Sequence, residues 1–494
     1  MSADDYHPFV PKPHESKIAG PTAREHAQTR MKNPRAQGLF GKWQDMFNEP
    51  FRGITTGGQA IPDLFSLAPE GAPVEAMIEA VNALLARMSP EQKKASCFPV
   101  SSPQWRHWQN TELYVEDYGL RLDEVSETLR DATMAVLRAS MSQHGYELSR
   151  DVMKLNRFLG DLVGGPAVMG EWSYIFCLFG TPSTSEPWGW QLFGHHLVLN
   201  CFVIGRQMVL TPAFWGAEPS YADQGPFKGI RIFQDEERAG LKLMRSFSAE
   251  QQKRAIVAHS MMGGDLPEGR RHFADNLHLG GAFQDNRIVP YEGLKGSELT
   301  ALQKRELMDL VDKYLMSLPD GPRRARIAEV ERHLTETHFC WIGGFAEESP
   351  FYYRVQSPVT FIEFDHHAGV FLTNAEPAKF HVHTIVRTPN GNDYGFDQVF
   401  ARQVGALGRP GDVIVGISTS GKSPNILAAL KVARERKLVT VGFTRSGQTA
   451  MNALCDVVVG APSEETALIQ QLHITVGHAI CHLVEREMFG GTRG

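Results

Sequence analysis

The chain has 494 residues, 42% hydrophobic and 21% charged, a globular balance that excludes collagen-like, disulfide-rich and wholly disordered classes. With 50 Lys and Arg against 56 Asp and Glu, the net charge of −6 lacks the basic excess of a nucleic-acid binder. The six cysteines form no CxxC pair, the N-terminus MSADDYHPFVPKPHESK has no apolar leader core, and no run of 18 apolar residues stands out. A soluble cytoplasmic protein without nucleic-acid or membrane partners is expected, with roughly three domains for this length.

Residues 1–40 are polar and carry Pro11, Pro13, Pro21 and Pro34, which predicts an extended N-terminal arm. Residues 74–95 and 119–160 repeat apolar positions at helical spacing, with Trp105 and Trp108 in the loop between them. Near residue 170 the pattern changes to β-rich runs bounded by Gly and Pro: EWSYIFCLFG, HHLVLNCFVIG and RQMVLTPAFWG. A helix returns over 297–333 with Ser297 as its expected N-cap. The strands FYYRVQ, VTFIEFDHH and KFHVHTIVR follow between 351 and 387. Residues 41–391 therefore read as one α+β domain with a mainly antiparallel sheet. From 392 to 494 the order is a helix at 397–407, the strand DVIVGIS, a helix from Pro424 to about Arg436, the strands LVTVGFT and CDVVVG, and a long helix at 464–487. Strand, helix and strand in succession predict a parallel, Rossmann-like α/β domain.

Six of the 19 histidines fall in three close pairs, His195-His196, His366-His367 and His381-x-His383. Alternation along a strand puts His381, His383 and Arg387 on one face of KFHVHTIVR, and Glu363, Asp365 and His367 on one face of TFIEFDHH. Joined as a hairpin, the two strands align these polar faces. His-x-His spacing suits one metal ion, and imidazoles with a carboxylate suit zinc, iron or manganese. His381, His383, His367, Asp365 and His196 are the predicted ligands of such a divalent metal, with Asn200 a further candidate. A hydrogen-bonded polar sheet face that binds nothing is the competing reading. Trp188, Trp190 and Trp215 would wall a nearby pocket, or fill the core.

In the last domain Ser418, Thr419, Ser420 and Ser423 precede Pro424 at the start of a helix. Hydroxyls and backbone N–H groups at a helix N-terminus make an anion site. Gly416 to Ser423 also satisfies a nucleotide P-loop pattern, but Gly416 falls inside the strand and no later strand ends in a magnesium-binding Asp.

Residues 392–487 resemble the C-terminal half of phosphoheptose isomerases of the sugar isomerase (SIS) superfamily, through NDYGFDQVFARQVGALGRPGDVIVGISTSGKSPNILAAL, VTVGFT and ETALIQQLHITVGHAICHLVE. The resemblance implies that Ser418, Thr419, Ser420 and Ser423 hold a sugar phosphate and that Asp393 contacts sugar hydroxyls. It places Gln470 and His478 at a metal and catalytic centre, with His478 transferring the proton in an aldose–ketose isomerisation. The family's Gly-Asn-Gly-Gly-Ser loop and carboxylate-bearing helix have no upstream counterpart, and Lys422 replaces an Asn, so the SIS portion reads as incomplete. Its site would be completed by another subunit in a homo-oligomer, or by the N-terminal domain. Residues from about 75 to 395 resemble a bacterial and fungal family of unknown function, through PWGWQLFGHHLVLN, TPAFWGAEP, DNRIVPYEGL and FDHHAGVF. The two resemblances meet at Asn392-Asp393-Tyr394-Gly395.

Overall fold

Two capped starts turn the polar N-terminus helical. The computed structural model describes residues 5–489 except 19–21, 48, 50, 62–63, 66, 273–275, 391–399, 402–403 and 405–407. The Thr22 hydroxyl accepts the Glu25 N–H at 3.2 Å and opens α1 (Ala23–Arg30). Asn33 accepts the Arg35 N–H at 2.9 Å and opens α2 (Pro34–Met46). Proline has no N–H to lose in a first turn and a φ suited to it. Pro34 is thus a helix starter, and the expected extended arm is instead two helices and two short 3-10 turns. Phe40 and Trp43 of α2 bury against Phe283, with ring centroids 5.4 and 4.9 Å apart.

The chain divides into two compact units, residues 1–64 with 68–394, and residues 65–67 with 395–494. The large unit carries α3 (Val74–Leu85), α4 (Pro90–Ser96), α5 (Glu127–Ser140), α6 (Gln143–Leu162), α7 (Gln234–Ser246), α8 (Ala249–Ala255), α9 (Ala301–Leu315) and α10 (Asp320–Arg332). The helical spacing over 74–95 is broken at Ser89, which caps α4 in a capping box with Gln92. Thr300, not Ser297, caps α9, because Gln303 stands three residues on and completes the box.

Its strands are β1 (Cys97–Phe98), β2 (Leu120–Arg121), β3 (Tyr174–Phe179), β4 (Trp188–Gly194), β5 (Leu197–Ile204), β6 (Gln207–Ala217), β7 (Ile256–Ala258), β8 (Leu294–Lys295), β9 (His338–Gly343), β10 (Phe351–Gln356), β11 (Phe361–His367) and β12 (Ala378–Arg387). They form one 12-stranded sheet in the order β1-β3-β4-β5-β6-β12-β11-β10-β9-β7, with β2 on β3 and β8 on β9. Only the β1–β3 and β7–β9 pairs are parallel. The α+β reading with a large, mainly antiparallel sheet agrees with this architecture. Every residue of β3, β5, β6, β10 and β11 is buried, so both faces of the sheet centre are covered. On one face Trp190 and Trp215 donate to Ser140 of α5 and Ser149 of α6 at 2.9 and 3.1 Å. Trp190, and Trp188 bonded to the Ser183 carbonyl at 2.9 Å, are core anchors, while buried Trp215 also borders a small cavity with Tyr314 and Ser317.

On the opposite face the segment 277–285 is tied to the sheet by buried charge. Glu363 accepts the Leu279 and Gly280 N–H groups at 2.9 and 2.8 Å and the Tyr352 hydroxyl at 2.6 Å. Arg387 reaches the Gly280 carbonyl at 3.2 Å, and Asp285 pairs with Arg106 at 3.0 Å.

In the small unit β13 (Val413–Ile417), β14 (Val439–Arg445) and β15 (Val457–Ala461) form a parallel sheet in that order. It carries α11 (Pro424–Glu435) and α12 (Thr466–Phe489). Gly416 admits α11 closely: a Cβ there would stand 3.1 Å from Ile426. The alternate side chains Val413, Val415 and Ile417 are 62%, 50% and 54% exposed, so among the described residues this side of β13 is uncovered. On α12 only Ile469 and His473 are buried. Contrary to expectation, α12 is long and apolar enough to cross a membrane by length and composition. All six cysteines are unpaired.

Candidate functional site

The antiparallel register of β11 and β12 sets Asp365 opposite His383. Strand alternation then gives Glu363, Asp365 and His367 the same face as His381, His383 and Arg387. His196 arrives from the turn between β4 and β5 with φ 63, a left-handed conformation uncommon for a residue with a Cβ. That turn brings its ring to 5.5 and 5.2 Å from the rings of His381 and His383. One ring nitrogen from each of His196, His381 and His383 lies within 4.8 Å of the others, and all three residues are buried.

The His381 Nδ1–H donates to the Ala368 carbonyl at 2.9 Å, which leaves Nε2 as the lone-pair nitrogen. That Nε2 stands 3.1 Å from His383 Nε2. Burial first, and neighbouring imidazoles second, hold His196 and His381 well below the usual histidine range, so both are neutral. Gly216 keeps the space open. A Cβ on it would stand 3.0 Å from His383 Cδ2 and 3.1 Å from His196 Cδ2.

His367 packs against both strand histidines, with centroids 4.9 Å from His381 and 4.4 Å from His383. Its own nitrogens are engaged, Nδ1 with the Ala368 carbonyl at 2.9 Å and Nε2 with the Asn276 carboxamide at 2.7 Å. Asp365 pairs with His278 at 3.3 Å. Three of the five predicted ligands thus converge, while His367 and Asp365 stand one layer out. Asn200 does not join them: its carboxamide bonds Gln191 at 2.6 Å and the Pro212 carbonyl at 2.8 Å.

Glu218 was not legible as a site residue. It accepts the N–H groups of Val370, Phe371 and Leu372 at 2.8, 3.0 and 2.9 Å, and lies 3.7 Å from His381 Nδ1. It therefore shapes the loop whose Ala368 carbonyl orients His381. Burial raises its carboxyl to about 7 against the pull of those N–H groups. A neighbouring cavity of about 420 Å³ is bounded by Arg30, Arg35 and Phe40 of the N-terminal helices, by Glu112, and by Asn276 and His367. His367 therefore separates the three-histidine cluster from this cavity.

In the small unit β13 runs into the Ser/Thr loop. The Ser418 hydroxyl lies 2.7 Å from that of Ser423 and 3.5 Å from that of Ser420. The Gly421 and Lys422 N–H groups point inward to Ser418 Oγ at 3.1 Å and Ser420 Oγ at 3.2 Å. Ser423 is the N-cap residue of α11, yet its side chain makes no capping bond. Thr419 is half-buried between buried Ser418 and exposed Ser420. Gln470 and His478 are exposed on α12, and two such donors alone do not make a metal site. The buried histidine of that helix is His473, whose Nε2 meets the Thr444 carbonyl at 3.1 Å and docks α12 on β14. Asp393, and most of the helix predicted at 397–407, lie outside the described residues.

A family model described as a protein of unknown function (DUF3500) matches residues 70–396, more than half of the chain. The chain belongs to the DUF3500 family. The three-histidine cluster lies within the span of the DUF3500 match. A second model, of the SIS domain, matches residues 367–445. Phosphoheptose isomerases are similar to part of this DUF3500 protein. That of Nitratidesulfovibrio vulgaris strain Miyazaki F is 54% identical over 104 residues, 21% of this chain and 50% of its own. The Hildenborough strain's is 37% identical over 210 residues, 41% of this chain and 89% of its own. That of Bradyrhizobium sp. strain ORS 278 is 54% identical over 110 residues, 22% of this chain and 56% of its own. The chain spans about half the length of the first of these curated relatives. Among solved structures, phosphoheptose isomerase from Neisseria gonorrhoeae is 47% identical across 19% of this chain and 54% of its own, with a TM-score of 0.19.

Proposed function

We propose that the small unit binds a sugar phosphate through the 418–423 loop. The carrying observation is the cluster of Ser418, Ser420 and Ser423 hydroxyls at the uncapped start of α11. A phosphate entering there replaces hydroxyl–hydroxyl contacts with charge-assisted bonds and meets the positive end of the helix dipole. The similarity to phosphoheptose isomerases supports a phosphorylated sugar, and sedoheptulose 7-phosphate is the first candidate. Isomerisation is the further step of the same reading. It moves a proton between adjacent carbons and needs an acid and a base beside the sugar. His478 is the group proposed for one role. The other falls to a carboxylate outside this unit, most simply in a second copy of the chain.

The uncovered side of β13 is compatible with such a partner. A ligand at a hundred times its Kd adds about 2.7 kcal/mol to the stability of the unit that binds it. Sedoheptulose 7-phosphate is therefore expected to raise the melting transition of the small unit in the full-length protein. Ser420→Ala, at an exposed hydroxyl, is expected to abolish most of the shift without lowering the ligand-free transition. An equal shift in wild type and variant, or none in wild type, sinks the reading. Turnover of the same sugar phosphate separates an isomerase from a binding unit.

A further inference from the structure

The large unit holds a second candidate site that owes nothing to sugar-phosphate binding. Its core is three histidines drawn from two places in the chain, the β4–β5 turn and β12. The two imidazoles of β12 turn Nε2 atoms toward each other at 3.1 Å. Two nitrogens bound to one tetrahedral ion at about 2.0–2.1 Å each are separated by about 3.3 Å, so the pair is already close to a shared coordination edge. The His196 ring supplies the third corner from the neighbouring turn.

The surroundings match what a metal-binding histidine needs. A ligating imidazole presents one nitrogen and donates from the other to an outer carbonyl or carboxylate, which fixes the tautomer. His381 donates its Nδ1–H to Ala368 in this way. The loop carrying that carbonyl is held by Glu218 through three backbone N–H groups. Gly216 leaves room beside His196 and His383 that a side chain there would take. His196 keeps its left-handed backbone although the hairpin would close more easily with Gly or Asn.

We infer that His196, His381 and His383 form a tris-imidazole site for one first-row divalent metal, zinc by its donor set, lying behind His367 and the adjoining cavity. Three imidazole ligands leave a fourth position for water or a bound molecule, the arrangement of a catalytic rather than a structural zinc. His367 packs on this centre and Asp365 pairs with His278 in the next layer, and neither is a ligand. Arg30 and Arg35, exposed on the cavity wall, favour an anionic small molecule as the visitor.

The test uses the full-length protein, stripped with a chelator and reloaded with zinc or cobalt(II). Elemental analysis is expected to give one tightly held ion per chain, and the cobalt form an intense visible spectrum of tetrahedral type. His381→Gln and His383→Gln are expected to weaken binding by about a hundredfold or more, with His367→Gln keeping one ion per chain. Circular dichroism and thermal melting check that each variant is folded. The His478→Ala variant separates this site from any metal on α12 and is expected to keep the ion and the spectrum. No tight ion and no cobalt spectrum in the wild type overturns the inference, whatever the variants do. So does retention of the ion by folded His381→Gln and His383→Gln, or its loss in His478→Ala alone.

Discussion

Glu363→Ala is expected to cost the large unit about 3 kcal/mol or more, in the large-effect tail to which broken buried hydrogen-bond networks belong. The carboxylate is fully buried and serves the Leu279 N–H, the Gly280 N–H and the Tyr352 hydroxyl. An alanine leaves these donors without an acceptor where water does not reach, at about 1–3 kcal/mol each before relaxation. The segment 277–285 has no helix or strand of its own, so its attachment to the sheet depends on this carboxylate and on Arg387, beside the Asp285–Arg106 pair and the packing of Phe283 on Phe40 and Trp43. Because the chain has two units, denaturant unfolding is expected to show more than one transition. The loss belongs to the transition of the tryptophan-rich large unit. Hydrogen exchange at 277–285 is expected to rise in the variant. A loss under about 1 kcal/mol, with exchange unchanged, would show that the segment is held by its apolar contacts instead.

Why the strand histidines could be placed from sequence while Glu218 could not follows from distance along the chain. His381, His383, Asp365 and His367 lie on two strands joined by a short loop, so the period of two determines their common face. The register that brings Asp365 to His383 is the only extra information, and a hairpin nearly supplies it. His196 is predicted from its place beside the strand LVLN, and a turn with φ 63 is what carries its ring to the other two histidines. Alternation does not report which neighbours take a carboxamide, and that of Asn200 is taken by Gln191 and the Pro212 carbonyl. Glu218 reaches its loop across more than 150 residues, and nothing periodic announces such a contact.

Local capping signals account for the misread ends. Thr22 and Asn33 started helices in a segment judged by its prolines, and Gln303 selected Thr300 over Ser297 as a cap. In the small unit every described strand and helix was legible, since short apolar strand runs alternate there with helices of 3.6-residue period. What periodicity does not carry is cover. The apolar alternation of Val413, Val415 and Ile417 marks a strand whether or not that side is covered.

A stabilising substitution provides the sharpest electrostatic test. Glu236 sits in the first turn of α7 and is only 8% exposed. Burial lifts its carboxyl from 4.5 to about 7, and the neighbouring Asp235 adds to the rise while Lys313 and Arg238 oppose it. In the unfolded chain the group loses its proton near its ordinary value, and in the folded protein it keeps the proton until about 7. Between those values the folded state binds more protons, so the contribution to stability falls as pH rises and has reached its full cost above about 7. A shift of this size corresponds to about 3 kcal/mol. Glu236→Gln, which is neutral throughout, is therefore expected to match the wild type at about pH 4.5 and to exceed it by about 3 kcal/mol at about pH 8.5. The hydrogen bond from the Tyr353 hydroxyl goes to the backbone carbonyl of residue 236 and survives the change. A difference that does not vary with pH would mean that the carboxylate finds solvent or a cation on ionising, and that burial is not what governs it.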